Sequence, residues 1–186
     1  AASAVMELAN QLNRLNQLVP ASTVQMPENT LNAGIIGTSN TKLNVVPGDA
    51  FARIEIRFFQ KSEGERLDKA IREQAGKTLI PHTRVTISGG IEVDPLEKTP
   101  AAEKLIQLYK EVVKQEYGYE VIEYSAGGIS DGNLASKYVP TIDALGVESY
   151  YEHTVQEYAD LTTVVPRTVV LAQFIKKIMD QWPGVR

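Results

Sequence analysis

The groups best suited to chemistry fall within one stretch of the chain, from Ser125 to Arg167. It opens with Ser125-Ala-Gly-Gly-Ile-Ser-Asp-Gly-Asn133 and passes through a short helical run, Leu134–Tyr138, and the apolar segment Thr141–Leu145. It then reaches Glu152-His153-Thr154, with Glu157-Tyr158 close behind. Gly127, Gly128 and Gly132 allow backbone conformations and close approaches that a Cβ would block. Asp131 and Asn133 bring an anion and an amide to the point where the chain turns into a helix. The pattern reads as strand, glycine loop, helix, strand, and a second loop ending in a helix. Loops that follow strands at the carboxyl edge of an α/β sheet are where ligands bind, and His153 is delivered beside that edge. Each piece also has a plainer reading. A strand-to-helix turn uses glycines and an acidic cap, here Asp131, without any ligand, and a lone loop histidine is ordinarily just a loop residue.

The combination is more specific than its parts. Gly127-Gly128-x-Ser-Asp-Gly-Asn, then Pro140-Thr-Ile-Asp, then His153-Thr-x-x-Glu-Tyr resembles the carboxyl-terminal third of the co-catalytic zinc exopeptidases. That family includes glutamate carboxypeptidase, aminoacylase, acetylornithine deacetylase and succinyl-diaminopimelate desuccinylase. The resemblance continues through Leu161 and Val165-Pro166-Arg167-Thr168, and reaches back to Leu43-Asn44-Val45-Val46-Pro47 and Ile56-Arg57. It covers nearly the whole chain in the correct order.

The resemblance implies a role for each group. His153 becomes a ligand of one ion in a two-zinc centre, since neutral imidazole suits zinc. Glu157 becomes a carboxylate placed to hold the imidazole tautomer, although a solvated glutamate fits the same position. Gly127, Gly128, Asp131 and Asn133 line the substrate-binding rim. Asn44 and Arg57, which alone would read as a turn former and a solvated strand residue, become the pair that fixes the substrate carboxylate. Arginine offers a planar fork for that purpose and asparagine one further bond. Some carboxypeptidase relatives place an arginine shortly before the glycine pair. Here that region reads Glu123-Tyr124-Ser125, which argues against a specific preference for a C-terminal glutamate.

The implied reaction is zinc-dependent hydrolysis of a peptide or N-acyl amide bond next to a free carboxylate. Zinc would polarise the carbonyl and activate water, and a glutamate would serve as base. In the family the remaining ligands and that base lie in an amino-terminal half, which the residues from Ala1 onward do not contain. The absent initiator Met and abrupt helical start suggest a cropped protein. The 186-residue chain is therefore expected to be inactive alone, with no catalytic residue of its own. The alternative is a non-catalytic dimerisation or interaction module.

These groups need elements to hold them. Val5, Leu8, Leu12, Leu15 and Val19 recur at helical spacing, so Ser3–Leu18 is an amphipathic helix ending before Pro20. Leu31–Thr38 reads as a strand, and Ala50–Phe59 alternates apolar and mixed residues as a second. Ser62-Glu63-Gly64-Glu65 reads as a capping box opening a helix with Leu67, Ala70 and Ile71 inward. Thr83–Ile91 alternates as a third strand. With one strand added upstream the order becomes βαββαβ, a ferredoxin-like sandwich, in an α/β (α+β) chain. In the resembling family this lobe mediates dimerisation, so a homodimer is implied. Asp94-Pro95 marks the boundary between a dimerisation lobe, residues 1–94, and the carboxyl-terminal part of a catalytic lobe, residues 95–186. In the latter, Thr99 and Pro100 start a helix that Gly118 stops after Tyr117. Tyr119–Tyr124 and Thr141–Leu145 read as strands. A last helix runs from near Pro166, with Val169, Ala172, Ile175, Ile178 and Met179 inward, to Trp182-Pro183-Gly184. Arg167 reads as structural and His82 as a surface turn residue.

Composition narrows the partners. A net charge of −4 argues against nucleic acid, because phosphate binding needs a basic surface. There is no cysteine, which excludes thiolate chemistry and leaves the redox compartment open. No apolar run reaches the roughly 18 residues of a membrane span, and Ala1-Ala2-Ser3-Ala4 lacks the basic region of a signal peptide. The partner that the resemblance implies is a small peptide or N-acyl amino acid.

Overall fold

The structure, a computed structural model, describes residues 2–19 and 29–181. It divides into two compact units. The first runs to Glu97 and takes in Ser125–Ile129; the second holds Lys98–Tyr124 and everything from Ser130 onward.

In the first unit, α1 (Ala4–Asn16) starts where Ser3 accepts a hydrogen bond from the Met6 amide at 3.3 Å. Strands β1 (Thr30–Gly37) and β2 (Phe51–Arg57) pair antiparallel, with a bulge between Ala33 and Ile35. Along β2 the burial alternates as the sequence requires, with Ala52, Ile54 and Ile56 inward and Arg53, Glu55 and Arg57 outward. Helix α2 (Lys61–Ala75) buries Leu67 completely, and that burial stabilises by about 1.5–3 kcal/mol. Gly64 faces the residue that follows β2, and a Cβ there would stand 2.5 Å from the Phe58 ring. The order helix, strand, strand, helix is the expected one and the unit is α+β, but its sheet has two strands, β1 and β2, among the described residues.

Two expectations in this unit need correction. The start of α2 is not a Ser62 capping box. Its N-cap is Gln60, which makes no side-chain cap, and the Lys61 amide donates instead to Glu97 Oε1 at 2.7 Å. Thr83–Ile91 is not a strand. Its alternation persists as alternating exposure of Thr83 to Ser88, but no ladder forms along it among the described residues.

In the second unit, α3 (Pro100–Tyr117) has the predicted Thr99 cap and ends at Gly118 with φ of 72°, the left-handed geometry that favours glycine. It packs on α5 (Val164–Gln181) around Leu108, Tyr109, Val112, Val113, Val170 and Phe174. Tyr109 and Phe174 meet edge to face, centroids 5.4 Å apart. Of the residues predicted inward on α5, Ile178 packs on this core, whereas Val169, Ala172, Ile175 and Met179 are exposed and Val170 and Phe174 are buried instead. Apolar residues surround this helix almost completely, so spacing alone left its register ambiguous. Val121, Ile142 and Leu145 lie on this core, yet Tyr119–Tyr124 and Thr141–Leu145 form no ladder and are not strands. Apolar pattern places a segment on a core; a ladder needs a partner that local sequence cannot supply.

The rest of the unit is the short α4 (Asp131–Ala135) and the antiparallel pair β3 (Glu148–Tyr150) and β4 (Tyr158–Asp160). A single 3-10 turn, Leu161–Thr163, then leads into α5. The helix stop expected at Trp182-Pro183-Gly184 lies outside the described residues. No helix among the described residues is long and apolar enough to cross a membrane.

Candidate functional site

In the first unit the site residues depend on β2 and on the loop before it. Residues two apart on a strand share a face, so Glu55 and Arg57 both project from the exposed side of β2. The Arg57 Nε donates to Glu55 Oε1 at 3.1 Å, and Nη2 approaches the same oxygen at 3.0 Å. Nη1 donates to the Gly127 carbonyl at 3.2 Å. Arg57 and Gly127 are therefore neighbours although 70 residues separate them in sequence. A Cβ on Gly127 would stand 3.4 Å from Arg57 Nη1, whereas one on Gly128 would meet nothing.

Asn44 lies exposed in the loop joining β1 to β2. Asn40 organises this loop, its Nδ2 donating to the Lys42 and Val45 carbonyls at 2.9 and 3.3 Å. Asp49 closes the loop on Ser39 and Thr38, and those bonds from Ser39 hold its carboxyl below the usual range. Pro47 anchors it to the start of α1 by accepting from the Ala4 amide at 3.0 Å.

In the second unit Asp131 is the first residue of α4 and Ser130 is its cap, which corrects the expectation that Asp131 caps. Asn133 Oδ1 accepts from the Ser130 amide at 3.0 Å, a reciprocal capping box that turns this side chain back on its own loop. Asp143 completes the arrangement by accepting from the Ser130 hydroxyl and from the Ala144 amide. Asp143 is the residue that sequence reasoning passed over. It stood in the quoted Pro140-Thr-Ile-Asp motif, and a serine cap across the loop was the signal for it.

His153 occupies the loop between β3 and β4 with φ of 66°, and Tyr151 nearby has φ of 56°. Such backbone costs of order 1–3 kcal/mol and persists where its surroundings fix it. Here Thr154 hydrogen-bonds the Tyr151 carbonyl through both its amide and its hydroxyl, and Glu157 Oε2 accepts from the His153 amide at 3.0 Å. Glu157 thus holds the His153 backbone rather than its ring. Tyr150 and Tyr158 stack across the hairpin, centroids 5.2 Å apart. Below them Glu148 accepts from Arg167 Nη2 at 2.8 Å and from the Tyr150 hydroxyl at 3.0 Å. The Arg167 bond comes first among the causes that hold the Glu148 carboxyl below its usual range, and the Tyr150 phenol is raised in return. Arg167 thereby ties α5 to β3, the structural part expected of it.

A zinc centre needs at least three protein ligands. Among the described residues no group of three or more His, Asp or Glu could hold a metal ion. Glu152 is engaged with Ser149 and Glu157 with the His153 amide. The described residues do not by themselves fit a zinc centre.

Residues 1–83 match the peptidase dimerisation domain family. The chain is 26% identical over 152 residues to the succinyl-diaminopimelate desuccinylase of Paracoccus denitrificans, covering 82% of this chain and 38% of that protein. Identity to the enzyme of the same name from Gluconacetobacter diazotrophicus is 27% over 150 residues, 81% of this chain and 37% of that protein. A Cereibacter sphaeroides desuccinylase is 26% identical over 180 residues, 92% of this chain and 45% of that protein. The resemblance to the co-catalytic zinc exopeptidases is borne out, and the chain spans less than half the length of these relatives.

Proposed function

We propose that this chain is the dimerisation lobe, residues 1–94, and the carboxyl-terminal part of the catalytic lobe, residues 95–186, of a zinc-dependent amidohydrolase. The enzyme cleaves a peptide or N-acyl amide bond next to a free carboxylate. The observation that carries this reading is the meeting of Arg57 with Gly127. Two segments read separately as substrate-binding, one on a strand and one in the glycine loop, come together at 3.2 Å. Arg57 and Asn44 hold the substrate carboxylate, and Gly127, Gly128, Asp131 and Asn133 shape the rim that receives the amide. His153 contributes one zinc ligand, and the other ligands and the general base lie elsewhere in a longer protein. The desuccinylase relatives support an N-succinyl amino acid as the substrate to try first.

The test compares the 186-residue chain with the longer protein on N-succinyl and N-acetyl amino acids, with zinc supplied. The longer protein hydrolyses them, and Arg57→Ala lowers its kcat/KM on acid substrates by about ten- to a hundred-fold, the worth of one charge-assisted bond. The carboxamide forms lose much less. Equal losses on acid and amide substrates, with the fold intact, return Arg57 to a structural role. The match to a domain named for dimerisation supports a second reading for the chain alone, as a non-catalytic interaction module. Turnover by the short chain that survives purification and is lost on His153→Ala excludes that module.

A further inference from the structure

Arg57 presents its fork already occupied. The Nε and Nη2 edge, the one that takes a carboxylate side-on, lies against Glu55 Oε1 at 3.1 and 3.0 Å. Nη1 is turned to the Gly127 carbonyl. Both partners in the pair are about half exposed, at 50% and 57%, so the contact is open to exchange with solution. A carboxylate arriving from outside meets a guanidinium whose matching edge holds another carboxylate of the same chain.

We infer that Glu55 is a built-in competitor for Arg57, which a substrate carboxylate must displace, and that it sets the affinity and selectivity of the carboxylate subsite. This rests on the reading of Arg57 as the carboxylate-binding residue. The exchange trades one ion pair for another. A neutral carboxamide has no charge with which to displace Glu55, so the pair favours acids over amides. The glycine loop remains tied through Nη1 while Nε and Nη2 change partners, which keeps Gly127 in place as substrate enters. Exposed ion pairs are worth about 0.2–1 kcal/mol, so removing the competitor is worth a factor of up to about five in affinity.

The experiment titrates the 15N-labelled chain with sodium N-acetylglycinate at fixed ionic strength and follows the Arg57 Nε–H resonance. N-acetylglycinamide is the uncharged control. In the wild-type chain the acid shifts the resonance saturably and the amide does not. In Glu55→Gln and in Glu55→Ala the midpoint for the acid falls by about two- to five-fold, and the amide remains without effect. A merely structural Glu55 would leave the midpoint unchanged or raise it. If the wild-type chain responds and neither variant tightens, Glu55 does not compete and the inference is overturned while the Arg57 reading stands. If the Arg57 resonance is indifferent to the acid in folded wild-type and variant chains, the carboxylate-site reading itself fails, and this inference with it.

Discussion

Glu7 is 2% exposed and accepts hydrogen bonds from Gln11 Nε2 and from the Leu79 and Ile80 amides, at 2.7 to 2.9 Å. It stands on a helix whose apolar spacing gives no sign that a carboxylate turns inward. Gln11 and Arg14 extend the contact to the Lys77 carbonyl, so one polar row on α1 fastens the chain that leaves α2. Burial alone would raise the Glu7 pKa, but the bonds from Gln11, Ile80 and Leu79, with the Arg14 charge, outweigh it and the net direction is down. Removing this carboxylate strands two amides, and an unsatisfied buried group costs about 1–3 kcal/mol. Glu7→Ala is therefore expected to lower urea stability at neutral pH by that amount. A folded pKa below the unfolded one stabilises above the unfolded value, and the stabilisation is lost as pH falls through the folded value. The gap between wild type and Glu7→Ala should accordingly close on acidification, and a gap constant with pH would sink the charge argument. Thr99 and Gly118 were legible because each of those helix ends is set by the three or four residues beside it. Glu7 was not, because the two amides it accepts from lie more than seventy positions away.

At the scale of elements the same division holds. The β2 alternation and the length of α3 could be read directly, since each has one apolar face against one polar face. Helix α5 has apolar residues on most of its circumference, and only packing on α3 selects Val170 and Phe174. Phe174→Ala is expected to cost about 3–5 kcal/mol. Its neighbour Ile175 is 49% exposed, and Ile175→Ala should stay within about 0.5 kcal/mol. Thermal or urea unfolding of the two variants decides the register, and the reverse order would restore the sequence-based face. In the first unit Gly64→Ala forces a methyl into the Phe58 ring, an overpacking worth about 1–3 kcal/mol. Phe58→Leu added to Gly64→Ala should recover part of that loss, and simple additivity of the two changes would show that they are not in contact. Thr83–Ile91, Tyr119–Tyr124 and Thr141–Leu145 keep their apolar patterning without a ladder. Pairing is a property of two segments, and no periodicity within one can report it.

For the whole molecule, the match to a dimerisation domain supports self-association through the first unit. The bulge between Ala33 and Ile35 breaks strict alternation and leaves Ile35 and Ile36, two successive apolar residues, both exposed on a two-stranded sheet. Unpaired sheet edges are commonly covered by a symmetry-related copy. Light scattering at high micromolar concentration should give a dimer, and Ile36→Lys should give a monomer with unchanged circular dichroism. A wild-type monomer, or a dimer indifferent to Ile36→Lys, counts against this surface. The division of the chain bears on how the protein is made. Ser125–Ile129 belongs to the first unit although the residues on either side belong to the second. A ribosome delivering this chain releases α1, β1, β2 and α2 long before it releases Gly127. Until then Arg57 lacks the carbonyl it holds in the finished protein. The amino-terminal unit is finished only after α3 has been synthesised, so a gene cut at the apparent linker would encode a lobe missing one of its own pieces.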